Sequence, residues 1–207
     1  MIRHILRSLR QRGVRFVFMY IRNAVWFDLR YGTNTAFRRE KSVQAVDDPA
    51  FKDGLLYVAS LDFVIKETIS RALQILSSAC GPVKFIDVGC GKGKTITYGE
   101  KYFSDDFEQF VGIEYDRSLV GLCEANLAKV KAIKTSVLAE SGENFANYLE
   151  GPSVVYFYNS FQGETFRRAF TAARDKSFVL IYVDPVLADD LVELGYVEAY
   201  AKNGQYN

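Results

Sequence analysis

Asp87 is followed by glycine at every second position, Gly89, Gly91 and Gly93, in the stretch Phe85-Ile86-Asp87-Val88-Gly89-Cys90-Gly91-Lys92-Gly93-Lys94. The residues before it, Val83 to Val88, form the apolar run of a buried strand, so the acid falls at a strand tip and the glycines form the loop beyond it. Glycine permits a tight turn with unusual backbone angles and lets a ligand lie against the main chain. A second acid has matching placement. Glu114 ends another apolar run, Phe110-Val111-Gly112-Ile113, and lies 21 residues after Gly93. A carboxylate at the next strand tip, about 20 residues on, is where the hydroxyls of a nucleoside ribose are held. Loop and acid together indicate a nucleoside-containing cofactor.

Three readings of the loop compete. A dinucleotide site requires G-x-G-x-x-G, but Lys94 stands at the third glycine's place. A phosphate-binding P-loop requires G-x-x-x-x-G-K-[ST], and Gly93-Lys94-Thr95 supplies its ending. Its opening glycine would fall on Val88, although Val179 to Asp184 imitates the strand and acid that hold magnesium in such NTPases. The third reading fits without repair. Acid-x-G-x-G-x-G resembles motif I of class I S-adenosylmethionine-dependent methyltransferases. The resemblance implies that Asp87, Gly89, Cys90 and Gly91 contact the methionine moiety, that Glu114 binds the ribose, and that Tyr115 lies beside the adenine. It also implies an acid near the adenine amino group after the third strand, where Glu140 is the candidate.

The tip of the fourth expected strand reads Tyr158-Asn159-Ser160-Phe161. It resembles the D/N/S-P-P-Y/F/W and Y-N-P-F motifs of methyltransferases, without their proline. Asn159 and the adjacent carbonyl can accept hydrogen bonds from an amine or amide, and Phe161 can flank the substrate or stack on a cationic centre. Methyl transfer is a direct displacement from an activated donor, so alignment outweighs the need for a strong base. A nitrogen acceptor follows, with Asn159 and Phe161 as the catalytic candidates. The bland alternative makes Asn159 a turn residue ending a core strand. Histone-lysine methyltransferases of this fold also pair a G-x-G-K-G-like loop with an Asn here, so protein lysine joins a sugar amine or small metabolite among the candidate acceptors.

The elements that must position these residues alternate from Lys84 onwards. Strands are expected near 83–88, 109–114, 131–138, 154–158, 178–183 and 196–200, with helices near 94–103, 118–131, 163–175 and 186–194. Ser60 reads as the N-cap of a preceding helix carrying Leu61, Val64, Ile65, Ile69, Ala72, Leu73 and Leu76 at helical spacing. Asp184-Pro185 reads as a helix start with proline at the first helical position. The fold expected is α/β, a doubly wound, mostly parallel Rossmann-like sheet with a basic helical extension. Residues 1–52 form the basic arm and cofactor-covering segment, and 53–207 the methyltransferase domain. Phe27-Asp28-Leu29-Arg30-Tyr31-Gly32-Thr33-Asn34-Thr35 resembles a segment lying over the cofactor in small bacterial methyltransferases of unassigned substrate. The resemblance makes Thr35 a cofactor or substrate contact, with a simple turn as the alternative. Tyr57 would border the pocket.

Composition narrows the class. The chain has 207 residues, 49% of them apolar, enough for one domain with a full core. Cys80, Cys90 and Cys123 are too few and too scattered for a disulfide framework or a metal site, and a reducing, cytoplasmic setting is the simplest reading. No apolar stretch approaches 18 residues. The net charge of +1 hides an asymmetry: residues 1–41 hold nine Arg and one Lys against Asp28 and Glu40, a balance of +8, leaving −7 for the rest. The arm either packs on the core with its arginines solvated, contacts an anionic membrane surface or an anionic substrate, or serves in targeting. It carries no recognised nucleic-acid module, so no specific nucleic acid is expected. An inactive S-adenosylmethionine-binding protein tethered by this arm, or a P-loop NTPase, remains the alternative to the enzyme.

Overall fold

The computed structural model describes residues 25–36, 58–78 and 81–202, together with 18, 22, 53 and 54. Five parallel strands form its sheet: β1 (Lys84–Val88), β2 (Gln109–Ile113), β3 (Thr135–Leu138), β4 (Ser153–Phe157) and β5 (Val179–Tyr182). Their order is β3-β2-β1-β4-β5, with Val88 level with Ile113 on one side and Phe157 on the other. Helices α1 (Asp62–Ile75), α2 (Lys94–Tyr102), α3 (Arg117–Val130), α4 (Gly163–Ala173) and α5 (Ala188–Glu193) accompany the sheet, and residues 25–31 are also helical.

The strands bury both faces, and their alternate residues divide between two cores. Phe85, Phe110, Val154, Tyr156 and Ile181 face α1, α2 and α3, meeting Ile65, Ile69, Ile96, Cys123 and Leu127. Ile86, Val88, Val111, Ile113, Val155 and Phe157 face the other side, where Phe145, Phe166, Phe170 and Leu191 close the second core. Each such aromatic removed from water contributes about 1.5–3 kcal/mol. This is the doubly wound, Rossmann-like fold. The chain reverses its winding between β1 and β4, so a crevice opens at their carboxyl ends.

Four local expectations need correction. Residues 196–200 form no strand. Gly195 turns with φ +88°, the Tyr196 amide donates to Leu191, and the Tyr196 ring docks on Phe170 and Phe178. The chain then leaves the sheet and crosses to α1, where Arg71 lies over the Tyr200 ring and Lys202 pairs with Glu67. Strand β3 starts at Thr135 rather than 131, because Lys131 caps α3 in a left-handed conformation and Glu100 accepts the amides of Ile133 and Lys134. Leu61, not Ser60, caps α1; Ser60 instead accepts the Tyr156 hydroxyl. Pro185 is not the first helical residue, since α5 begins at Ala188 after a left-handed Asp184. Among the described residues no helix is long and apolar enough to cross a membrane.

Candidate functional site

The cavity at the carboxyl ends of β1 and β4 is lined by Asp87, Gly89, Cys90, Glu114, Tyr115, Asn159 and Phe161. Lys94, Asp116, Ser60, Gly142 and Tyr158 complete much of its wall. The sheet register brings these residues together: Asp87 on β1 stands level with Gly112 on β2 and Tyr156 on β4.

The loop after β1 folds back on the tip of β2, with the amides of Gly89 and Cys90 both donating to the Ile113 carbonyl. Gly89 has φ +76°, and a Cβ there would overlap the Ser160 side chain. Ser160 in turn donates to the Val88 carbonyl at 2.6 Å, clasping the tips of β1 and β4. Gly93 starts α2 at φ +78°, where a Cβ would strike Cys123. The glycines therefore serve close packing as well as ligand approach.

Glu114 is held by main-chain donors, Gly91 to one oxygen at 3.0 Å and Asp116 to the other at 2.9 Å. Burial raises its pKa to about 7, against the opposing pull of those amides. Asp87 has only 4% of its surface exposed, and no hydrogen bond to its carboxylate is found among the described residues. Burial, and then the charge of Glu114, raise its pKa to about 8. The cavity wall thus holds a largely buried carboxylate with no hydrogen-bond partner among the described residues.

Lys94 reaches behind the loop, its Nζ 2.6 Å from Asp62 Oδ1 and 4.0 Å from the centre of the Phe27 ring. Burial lowers the Lys94 pKa and raises that of Asp62. An ammonium tied to Asp62 is poorly placed to serve as a phosphate-binding lysine, which weighs against the P-loop reading.

Asn159 adopts φ +45° at the end of β4. Its Nδ2 donates to the Asp184 carbonyl at 2.7 Å, and its Oδ1 accepts the Tyr182 hydroxyl at 2.9 Å. The side chain therefore locks the tips of β4 and β5 together and keeps one acceptor lone pair for other use. Phe161 forms a wall: its ring centroid lies 5.0 Å from that of Phe157, and its backbone bridges Gly54 in an antiparallel pair.

Other expected residues fall elsewhere. Gly91 backs the site through Glu114 and is not part of the wall. Glu140 accepts the Tyr148 hydroxyl and lies off the cavity, while Ser141 and Gly142 line it. Thr35 is fully buried and donates to Asp28, as do Thr33 and the Ala36 amide. These hydrogen bonds outweigh burial and hold the Asp28 pKa below its ordinary value. The 27–35 segment braces the glycine loop from behind, with Asn126 accepting the Asn34 amide and donating to the Lys92 carbonyl. It does not line the cavity. Tyr57 lies outside the described residues. Sequence reasoning missed Ser60 and Asp116 as wall residues; the Asp116-x-Ser118 spacing of an N-cap was the available signal for the latter.

No family model matches the chain, and no curated protein matches it by sequence. Solved structures similar to it include an rRNA methylase from Streptococcus thermophilus, at 15% identity over 61% of this chain and 76% of that one, with a TM-score of 0.44. Precorrin-6y C5,15-methyltransferase from Geobacter metallireducens is 14% identical over 65% and 69% of the two chains, with a TM-score of 0.47. The amino pentose methyltransferase CalS10 from Micromonospora echinaspora, solved with S-adenosylmethionine bound, is 20% identical over 56% and 50%, with a TM-score of 0.42. At such identities and scores these likenesses say nothing of what this chain binds or modifies.

Proposed function

We propose that this chain is an S-adenosylmethionine-dependent methyltransferase acting on a nitrogen acceptor. The observation that carries this reading is Asp87, a buried carboxylate facing the cavity with no hydrogen bond among the described residues. Such a group calls for a ligand that brings hydrogen-bond donors and positive charge. The α-ammonium of the methionine moiety supplies both, and Glu114 on the next strand is placed to accept from ribose hydroxyls. The cavity wall holds Asp87, Glu114 and Asp116 against Lys94, whose charge is offset by Asp62. A positive ligand group would draw the protons off Asp87 and Glu114 and leave this wall net negative, whereas a polyphosphate would be repelled by it.

When bound, the cofactor supplies an activated methyl group on a sulfonium centre. The chain's residues position and desolvate. The loop at Gly89 and Cys90 offers its backbone, Tyr115 provides an aromatic edge beside Glu114, and Phe161 excludes water from the β4 side. Asn159 fixes the β4 tip through Tyr182 and the Asp184 carbonyl, so backbone carbonyls at this tip can orient an amine lone pair. The left-handed Asn159 holds that geometry without the proline that related motifs carry.

The direct test is transfer of a labelled methyl group to a lysine-bearing peptide, an amino sugar and a small diamine. The reading expects the label on nitrogen, identified by chromatography of the hydrolysed product against N-methyl standards. Label on oxygen or carbon would contradict it. Cofactor binding without turnover on any acceptor supports the binding-protein alternative.

A further inference from the structure

Residues 18, 22 and 25–31 are helical, and Phe18, Arg22, Trp26 and Leu29 follow one another at spacings of four, four and three. Within the helical run 25–31, at 100° per residue, Trp26, Leu29 and Arg30 lie on one face within an arc of roughly 100°. Phe18, Trp26 and Leu29 are 67%, 60% and 73% exposed, and Arg22 and Arg30 are exposed beside them. The opposite face is committed inward. Phe27 is buried against Lys94 and Tyr98, and the Tyr31 hydroxyl bonds that of Tyr102. Packing the inner face therefore leaves a solvent-facing row of large apolar groups interleaved with guanidinium groups.

We propose that this row docks the chain on an anionic lipid surface, the helix lying in the headgroup plane. Phenylalanine, tryptophan and leucine need an apolar layer to enter, which a nucleic-acid backbone does not offer. Tryptophan favours the depth where acyl chains meet headgroups, and arginine can stretch its charge to the phosphates. Charge selects the same occupant. Residues 1–41 carry +8 and the remainder −7, so an anionic surface attracts this part of the chain and repels the rest. A second copy would set two basic rows against each other. No helix among the described residues is long and apolar enough to cross a membrane, so the helix would lie on the surface rather than span it.

Trp26 is the chain's single tryptophan, so its fluorescence reports on this face directly. The full chain is titrated with vesicles of phosphatidylcholine alone and with vesicles also containing phosphatidylglycerol. A blue shift and co-sedimentation with the anionic vesicles only, reversed by salt, are expected. Leu29→Asp and the pair Arg22→Glu with Arg30→Glu should each lower partitioning about tenfold or more, with unchanged circular dichroism. Three results would overturn the proposal: no shift with anionic vesicles, equal partitioning into neutral ones, or a doubled mass in solution that Leu29→Asp abolishes. The last would make a second copy the occupant.

Discussion

The Glu114 carboxylate accepts the Gly91 amide at 3.0 Å, joining the tip of β2 to the middle of the loop that follows β1. The two sequence signals, glycine loop and downstream acid, are thus one structural unit. Its second oxygen takes the Asp116 amide, so the acid is aimed before any ligand arrives.

This arrangement has a cost that pH reveals. Asp87 and Glu114 have pKa values raised to about 8 and about 7, so the folded chain keeps protons that the unfolded chain releases near pH 4. Stability from these groups is fully present below their ordinary pKa values and is lost as pH rises through the raised ones. Without ligand, melting temperature should fall between about pH 4 and pH 8. Asp87→Asn should flatten much of that slope and raise the melting temperature at pH 8 relative to wild type.

Ligand binding should release protons for the same reason. An ammonium beside Asp87 and ribose hydroxyls donating to Glu114 both favour the ionised carboxylates and pull their pKa values down. Affinity for S-adenosylhomocysteine should therefore increase from pH 6 to 7.5, a window chosen around the raised values. Calorimetry in buffers of different ionisation enthalpy measures the protons released, and Asp87→Asn should abolish most of that release.

Gly89 is constrained twice, by its left-handed backbone and by Ser160. Gly89→Ala should destabilise by about 1–2 kcal/mol from the backbone alone, and by more from the overlap. Adding Ser160→Gly should recover only the second part. Gly121 is the control: it lies inside α3, with nothing within 4 Å of an added Cβ, so Gly121→Ala should be neutral or stabilising by about 0.5–1 kcal/mol. Thermal denaturation of the three variants separates these effects.

Lys94 and Asp62 form a largely buried pair in which loss of one partner strands the other. Lys94→Met should cost about 3 kcal/mol, and adding Asp62→Asn should recover part of it, with a coupling of about 1–3 kcal/mol in urea titrations. A strictly additive double variant would contradict the pairing.

The sheet was legible because β1, β2 and β5 are short apolar runs that meet a glycine or acid at or just past their ends, and five of the six expected strands formed. The sixth failed because Tyr196 is apolar for docking against Phe170, not for pairing with β5. At the site, backbone placement made Gly89, Cys90, Glu114 and Tyr115 readable, since strand tips fix them. Glu140 and Thr35 lie off the cavity because a polar loop residue can satisfy itself locally, through Tyr148 in one case and Asp28 in the other. Asn159 lines the cavity at the expected strand tip, yet its amide serves the β4–β5 lock, a tertiary contact that local sequence does not encode.

The central claim is that Asp87 holds the α-ammonium, and Glu114 the ribose hydroxyls, of an S-adenosyl amino acid. Its most direct test is calorimetric titration of wild type and Glu114→Ala with S-adenosylhomocysteine, with magnesium–ATP as the control ligand. Micromolar binding to wild type, weakened at least about tenfold by the substitution and absent for ATP, is the expected result. A folded wild-type chain that ignores S-adenosylhomocysteine, or binds ATP in its place, would contradict it.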